Sequence, residues 1–131
     1  MRFLIILFLA ISAKAKTVAD FPNDFLFGLA TAPGHVEDQL DDVWARQAEQ
    51  GGIPGIENVP QGIARLKFYT APEIELDLAK SMGIDIYRTG IDWERLQPEK
   101  DGSLINQEAW AGYRERMFKG IHERGMKTML T

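Results

Sequence analysis

Few residues in this sequence are spaced for chemistry, and the densest group is Glu37-Asp38-Gln39-Leu40-Asp41-Asp42, four carboxylates in six positions. Such a run has the donor types of a hard-cation site, yet acidic residues also collect near the start of a helix, where the positive end of the dipole attracts them. A solvated helix face is the reading taken. His35 and His122 stand far apart, no H-E-x-x-H pattern occurs, and cysteine is absent, so neither imidazoles nor thiolates are spaced for a metal or a disulfide. No metal and no cofactor are expected. Arg88, taken alone, reads as half of a surface or structural ion pair.

The elements that must position these residues follow from pattern. Phe25 to Ala32 is a short apolar run closed by Pro33-Gly34, as expected of a buried strand ending in a loop. Val36, Leu40 and Trp44 recur every four residues and predict a short helix over 36–49, and the glycines and prolines of residues 50–63 predict a long surface loop. Thr70-Ala71-Pro72-Glu73 has the form of a capping box, opening a helix whose apolar face is Ile74, Leu78 and Met82, supported by Ala79, and which Gly83 terminates. Residues 84–93 then alternate with period two, a strand with both faces occupied. Asn106 caps a second helix with Trp110, Tyr113, Met117 and Ile121 along one stripe, Gly125 ends it, and Met126 to Thr131 is a third strand. Strand, helix, strand, helix, strand calls for a parallel sheet.

Composition sets the outer limits. With 45% hydrophobic and 26% charged residues the 131-residue chain is of globular type, and 19 acidic against 15 basic side chains, with no basic stripe, exclude nucleic acid as a partner. Residues 1–15 differ in kind: Met1-Arg2, the apolar run Phe3 to Ser12, and Ala13-Lys14-Ala15 with small residues where a signal peptidase reads. We read 1–15 as a signal peptide, too short for a membrane span, and expect a secreted or secretory-lumen protein with no stable membrane span after cleavage. Residues 16–131 would form one incomplete barrel domain, since three strands are few for a parallel sheet covered on both faces.

The sequence Phe21-Pro22-Asn23-Asp24-Phe25-Leu26-Phe27-Gly28-Leu29-Ala30-Thr31-Ala32 resembles the opening F-P-x-x-F-x-F-G-x-A-T-S of glycoside hydrolase family 1, and the likeness continues through Val36-Glu37. Ile86 to Pro98 resembles that family's Y-R-x-S-I-S-W-x-R-I-x-P, Leu78 to Gly83 its L-x-K-x-x-G, and Gly125 to Thr131 its G-I-x-P-x-V-T. The resemblance implies an α/β fold, the N-terminal portion (about three βα units) of a TIM (β/α)8 barrel. It also implies a retaining β-glycosidase, in which one carboxylic acid protonates the leaving oxygen and a carboxylate about 5 to 5.5 Å away is the nucleophile.

In the family those two glutamates lie on strands four and seven, in T-F-N-E-P and E-N-G motifs. Neither motif occurs here, so no Glu, Glu37 and Glu94 included, takes either role, and the chain alone is expected to be inactive. By resemblance Arg88 supports the missing nucleophile by keeping it ionised and oriented. His35 stands where the family has a glutamine that hydrogen-bonds the sugar, which makes it the candidate substrate-binding residue. Trp44 and Trp93 are read as packing. Pro33, His35 and Asp38 lean toward the plant galactolipid galactosyltransferase branch, so the expected partner is a β-glycoside or a galactolipid, with hydrolysis first, transfer to an acceptor lipid second, and noncatalytic sugar binding by a truncated secreted protein as the competing class.

Overall fold

A computed structural model describes residues 17–51 and 66–131; the segment read as a signal peptide and nearly all of the predicted 50–63 loop lie outside the described residues. Three strands, β1 (Gly28–Ala30), β2 (Ile86–Thr89) and β3 (Lys127–Leu130), form a parallel sheet in the order β1-β2-β3. Leu29 is level with Tyr87 and Thr128, and Ala30 with Arg88 and Met129. The sheet is parallel because each connection crosses back through helix: α3 (Glu73–Ser81) before β2, and a longer helical run before β3.

Successive side chains of a strand point to opposite faces, so this register sorts the sheet into two surfaces. Leu29 and Tyr87 face the helices and join a core of Phe68, Leu76, Ile84, Tyr113, Met117, Ile121 and Met126. Phe68 stacks on Tyr87 with centroids 5.5 Å apart and planes 9° from parallel. Burying each large apolar side chain of this cluster contributes roughly 1.5–3 kcal/mol. Ala30, Arg88, Met129 and Lys127 occupy the other surface, are exposed, and have no helix over them among the described residues.

The helical run before β3 is the predicted one with an irregular middle. Asn106 Oδ1 accepts from Ala109 N at 3.1 Å and opens α5 (Gln107–Gly112), a π-helical stretch follows at Tyr113–Phe118, and α6 (Lys119–Glu123) completes it. Gly125, at φ +71°, adopts the left-handed conformation that ends the run, and Gly83, at φ +77°, does the same after α3. Trp110 is half-buried, edge-on to Phe118.

Several expectations need correction. The predicted helix over 36–49 is two helices, α1 (Pro33–Val36) and α2 (Val43–Glu49), with a bent segment between. Glu37 is fully buried in extended backbone, Gln39 sits at φ +56°, and Asp42 Oδ1 caps α2 by accepting from Ala45 N, so side chain–backbone bonds outcompete the helix there. The acidic run is therefore no solvated helix face.

The capping box at Thr70 does not form, because the Thr70 hydroxyl donates to Asp38 instead; Pro72, with φ already near the helical value, starts α3. The buried side of α3 is Leu76 and Ala79, not Ile74, Leu78 and Met82, and Ile74 is 77% exposed. The strands are shorter than the runs that predicted them: Phe25 and Leu26 are exposed, Phe21, Phe25 and Phe27 cluster on one another, and residues 93–96 turn into helix α4 (Trp93–Leu96). Trp44 and Trp93, read as packing, are 57% and 71% exposed.

Candidate active site at the carboxyl ends of the strands

The carboxyl ends of β1 and β2 are joined by Thr31, whose amide donates to Arg88 O at 2.9 Å and whose hydroxyl meets that of Thr89 at 3.3 Å. Immediately after Thr31 the chain turns into α1, with Pro33 at its first turn. A Cβ on Gly90 would sit 3.2 Å from Pro33 Cδ and 3.3 Å from Thr131 O, so glycine is what lets these three strand ends approach. His35 is carried on α1 and is exposed. The two residues singled out from the sequence thus come to one end of the sheet, with no hydrogen bond between them among the described residues.

Arg88 is exposed on the helix-free surface, flanked across the register by Ala30 and Met129, and forms no ion pair among the described residues. A guanidinium offers up to five donors in a planar fork suited to a carboxylate. Among the described residues Arg88 is thus not half of the ion pair that the residue alone would suggest.

Behind α1 lies a cluster that no sequence argument had assembled. Tyr113 Oη donates to Glu37 Oε2 at 2.9 Å and accepts from Asp92 N at 3.0 Å. Arg95 Nη2 lies 3.6 Å from Glu37 Oε2, donates to Asp38 O at 2.7 Å, and stacks its guanidinium over the Tyr69 ring at 3.7 Å. Asp92 Oδ2 caps α4 by accepting from Arg95 N at 2.9 Å. Asp38 accepts from Tyr69 N, Thr70 N and the Thr70 hydroxyl, the last at 2.5 Å.

These surroundings separate the carboxyls electrostatically. Desolvation pushes Glu37 up to about 7, against the pull of the Tyr113 hydroxyl and the Arg95 charge. Burial also raises Asp92, partly offset by the Arg95 amide. For Asp38 burial again works upward, but the hydrogen bonds from Thr70 and Tyr69 outweigh it and hold the carboxyl below its ordinary value. Burial first, and then the Glu37 charge, raises the Tyr113 phenol.

Glu94 serves a different purpose, accepting from Arg46 Nη2 at 2.6 Å and from Val43 N at 3.0 Å, which straps α4 to α2. No group of three or more His, Asp or Glu side chains among the described residues is arranged to hold a metal ion. The available signal for the buried cluster was Tyr113 itself, a phenol on an otherwise apolar stripe whose hydroxyl had to find a partner.

Residues 17–131 match the family model of glycosyl hydrolase family 1. The chain belongs to that family. It is 34% identical to a β-glucosidase of an Agrobacterium species, over 86% of this chain and 25% of that protein. It is 28% identical to the chloroplastic galactolipid galactosyltransferase SFR2 of Arabidopsis thaliana, over 92% of this chain and 29% of that protein. Among solved structures, the virulence factor SghA of Agrobacterium tumefaciens superposes with a TM-score of 0.67 at 34% identity, covering 86% of this chain and 25% of that one. A β-glycosidase from Pyrococcus horikoshii does so with a TM-score of 0.65 at 27% identity, covering 84% and 24%.

The chain spans a quarter to three-tenths of the length of these curated relatives. Family membership makes its fold the N-terminal portion of a (β/α)8 barrel, about three βα units. In that architecture the helix-free surface of the sheet turns inward and active sites form at the carboxyl ends of the strands. Arg88, the turn bearing His35, and the polar cluster behind it all lie at that end of this family 1 chain.

Proposed function

We propose that this chain is part of a retaining β-glycosidase in which Arg88 orients and keeps ionised the carboxylate nucleophile, while His35 hydrogen-bonds the sugar. The observation that carries the reading is the Arg88 guanidinium, exposed on the barrel-facing surface and without an anionic partner among the described residues. A carboxylate brought beside it gains charge-assisted, bidentate hydrogen bonds, which favour the ionised form that attacks the anomeric carbon. In the longer protein, hydrolysis of aryl β-glucosides and β-galactosides that falls at least about a hundredfold in Arg88→Ala, roughly 2.7 kcal/mol of transition-state stabilisation, supports the role. Undiminished turnover in that variant sinks it.

Likeness to a galactolipid galactosyltransferase over 92% of the chain favours a second reading, transfer of the glycosyl group to a lipid hydroxyl. Both outcomes share a covalent glycosyl-enzyme intermediate and differ in the acceptor that reaches it. Incubation with monogalactolipid separates them, since free galactose marks hydrolysis and digalactolipid marks transfer. The third reading, noncatalytic sugar recognition, predicts that the 131-residue chain binds methyl β-galactoside without turning it over. Entry into the secretory pathway, supported by the composition of residues 1–15, is tested by amino-terminal sequencing of the exported protein, expected to begin at Lys16.

A further inference from the structure

The α1 turn that carries His35 is only four residues long and contains no fully buried side chain. Val36 packs partly against the core and its carbonyl accepts from Phe68 N at 3.2 Å, which leaves the amino-terminal part of the turn without an anchor of that kind. Its two ends are held from outside. At the amino end Pro33 abuts Gly90, two positions after Arg88 on the chain leaving β2. At the carboxyl end the chain passes into Glu37, whose amide donates to Pro33 O at 2.9 Å and whose side chain is fully buried. The carboxylate is reached by the Tyr113 hydroxyl, and that same hydroxyl accepts the amide of Asp92, just beyond Gly90. One phenol, 76 residues beyond Glu37, therefore ties the segment following β1 to the segment following β2.

We propose that Glu37 and Tyr113 are a positioning pair, a buried carboxylate gripped by a phenol, that sets where the turn bearing His35 sits against the strand bearing Arg88. Neither side chain reaches solvent, so neither touches substrate in this arrangement, and both act through the residues they hold. Among the described residues, the charged and titratable groups that act on Glu37 include Arg95 from α4, Asp92 from its cap, Asp38 from the same bent segment, and Tyr113 from the π-helical stretch. Arg95 attracts the ionised form while Asp92 and Asp38 oppose it, so the grip on α1 depends on the Glu37 proton. A buried acidic side chain retained beside an arginine is weak evidence for net stability, which leaves positioning as its physical use here.

The inference rests on the reading of His35 as a sugar contact only for its functional meaning; its structural content is tested separately. Amide NMR of the full 131-residue chain is compared for Glu37→Gln, Glu37→Ala and Tyr113→Phe. Glu37→Ala and Tyr113→Phe are expected to move the amides of Gly34, His35, Val36 and Asp92 together, with those of His122 on α6 and Thr128 on β3 unmoved. Glu37→Gln keeps an acceptor for the phenol and is expected to restore the wild-type positions. Should Glu37→Ala and Tyr113→Phe fail to fold, a pH titration of the wild-type chain, with Glu37→Gln as the control that has no carboxyl at that position, decides instead. There the amides of Gly34 and Asp92 are expected to follow a common inflection near pH 7, the value to which burial raises Glu37.

Amides of the turn that stay put while Asp92 responds, or a Glu37→Gln variant displaced as far as Glu37→Ala, would overturn the proposal. Titration of the wild-type chain with methyl β-galactoside, read at the His35 ring, tests the sugar contact alone, and its failure leaves the positioning result standing.

Discussion

Glu94 holds Arg46 at 2.6 Å across 48 residues of sequence, and the two short helices that this contact joins each expose a tryptophan beside it, Trp44 next to Val43 and Trp93 next to Glu94. The pair itself is half-exposed and screened by water, so it adds little to stability. Its interest is geometric, since it fixes two uncovered indoles on neighbouring helices.

Those indoles give the first prediction. Trp44→Phe and Trp93→Phe should each change the unfolding free energy by no more than about 0.5 kcal/mol, as exposed positions do. Urea unfolding measures this, and acrylamide should lose most of its quenching of indole fluorescence in the double variant. A loss of several kcal/mol would mean that the indoles are covered.

Glu37 gives a pH dependence of definite sign. Its ordinary value of 4.5 is raised to about 7 by burial, so between those limits the folded chain keeps a proton that the unfolded chain has released. The stabilisation from that proton is complete below pH 4.5 and is lost as pH climbs through about 7. Stability should fall across the window with a slope of up to about 1.4 kcal/mol per pH unit, and Glu37→Gln should flatten that slope. Urea midpoints for the two proteins across the window test this, and parallel curves would refute it.

Asp38 behaves in the opposite sense. Its carboxyl is held low by three hydrogen bonds, so the stability it confers is present at neutral pH and lost as the medium is acidified below the ordinary value of 3.8. Asp38→Ala leaves the Tyr69 and Thr70 amides unsatisfied and should cost roughly 1–3 kcal/mol at pH 7. Thermal unfolding at neutral pH measures the loss, and an unchanged midpoint would show that water replaces the carboxylate without cost.

Gly120 tests the helix packing. A Cβ there would stand 2.9 Å from Leu76 Cδ1, so Gly120→Ala, which should help an exposed helix by about 1 kcal/mol, is expected instead to destabilise this one by roughly 1–3 kcal/mol. Combined with Leu76→Ala the two effects should fall short of their sum, because the shortened side chain leaves room for the methyl group. Strict additivity in urea unfolding would mean that the two residues do not meet.

Periodicity was sufficient for the scaffold wherever burial followed a single face. Tyr113, Met117 and Ile121 are buried as their spacing requires, Asn106 caps where expected, and Gly83 and Gly125 end their helices at positive φ. It failed where side chains bonded to distant backbone. The four-residue recurrence of Val36, Leu40 and Trp44 concealed the bend at Glu37, Gln39 and Asp42, because Glu37 is held by Tyr113 and Arg95 far along the chain while Asp42 turns to cap α2. The Thr70 box lost to Asp38 for the same reason. On α3 the apolar stripe Ile74, Leu78 and Met82 was real but faces solvent here, a matter of which neighbour packs against it and not of local pattern. Motif alone drew attention to Arg88 and His35, whereas the Glu37–Tyr113–Arg95 cluster rests on contacts between distant segments that no local pattern displays.

The helix-free surface of the sheet has a second effect, on the nascent polypeptide. Arg88 and Lys127 stand on it in adjacent rows beside Met129, so two such surfaces brought face to face would press like charges together in a drying gap. Natural sheets use lysine and other charges in this way as gatekeepers against stacking into fibrils. A barrel's early strands are synthesised before those that close it, and the same charges would disfavour stacking of these strands during that interval.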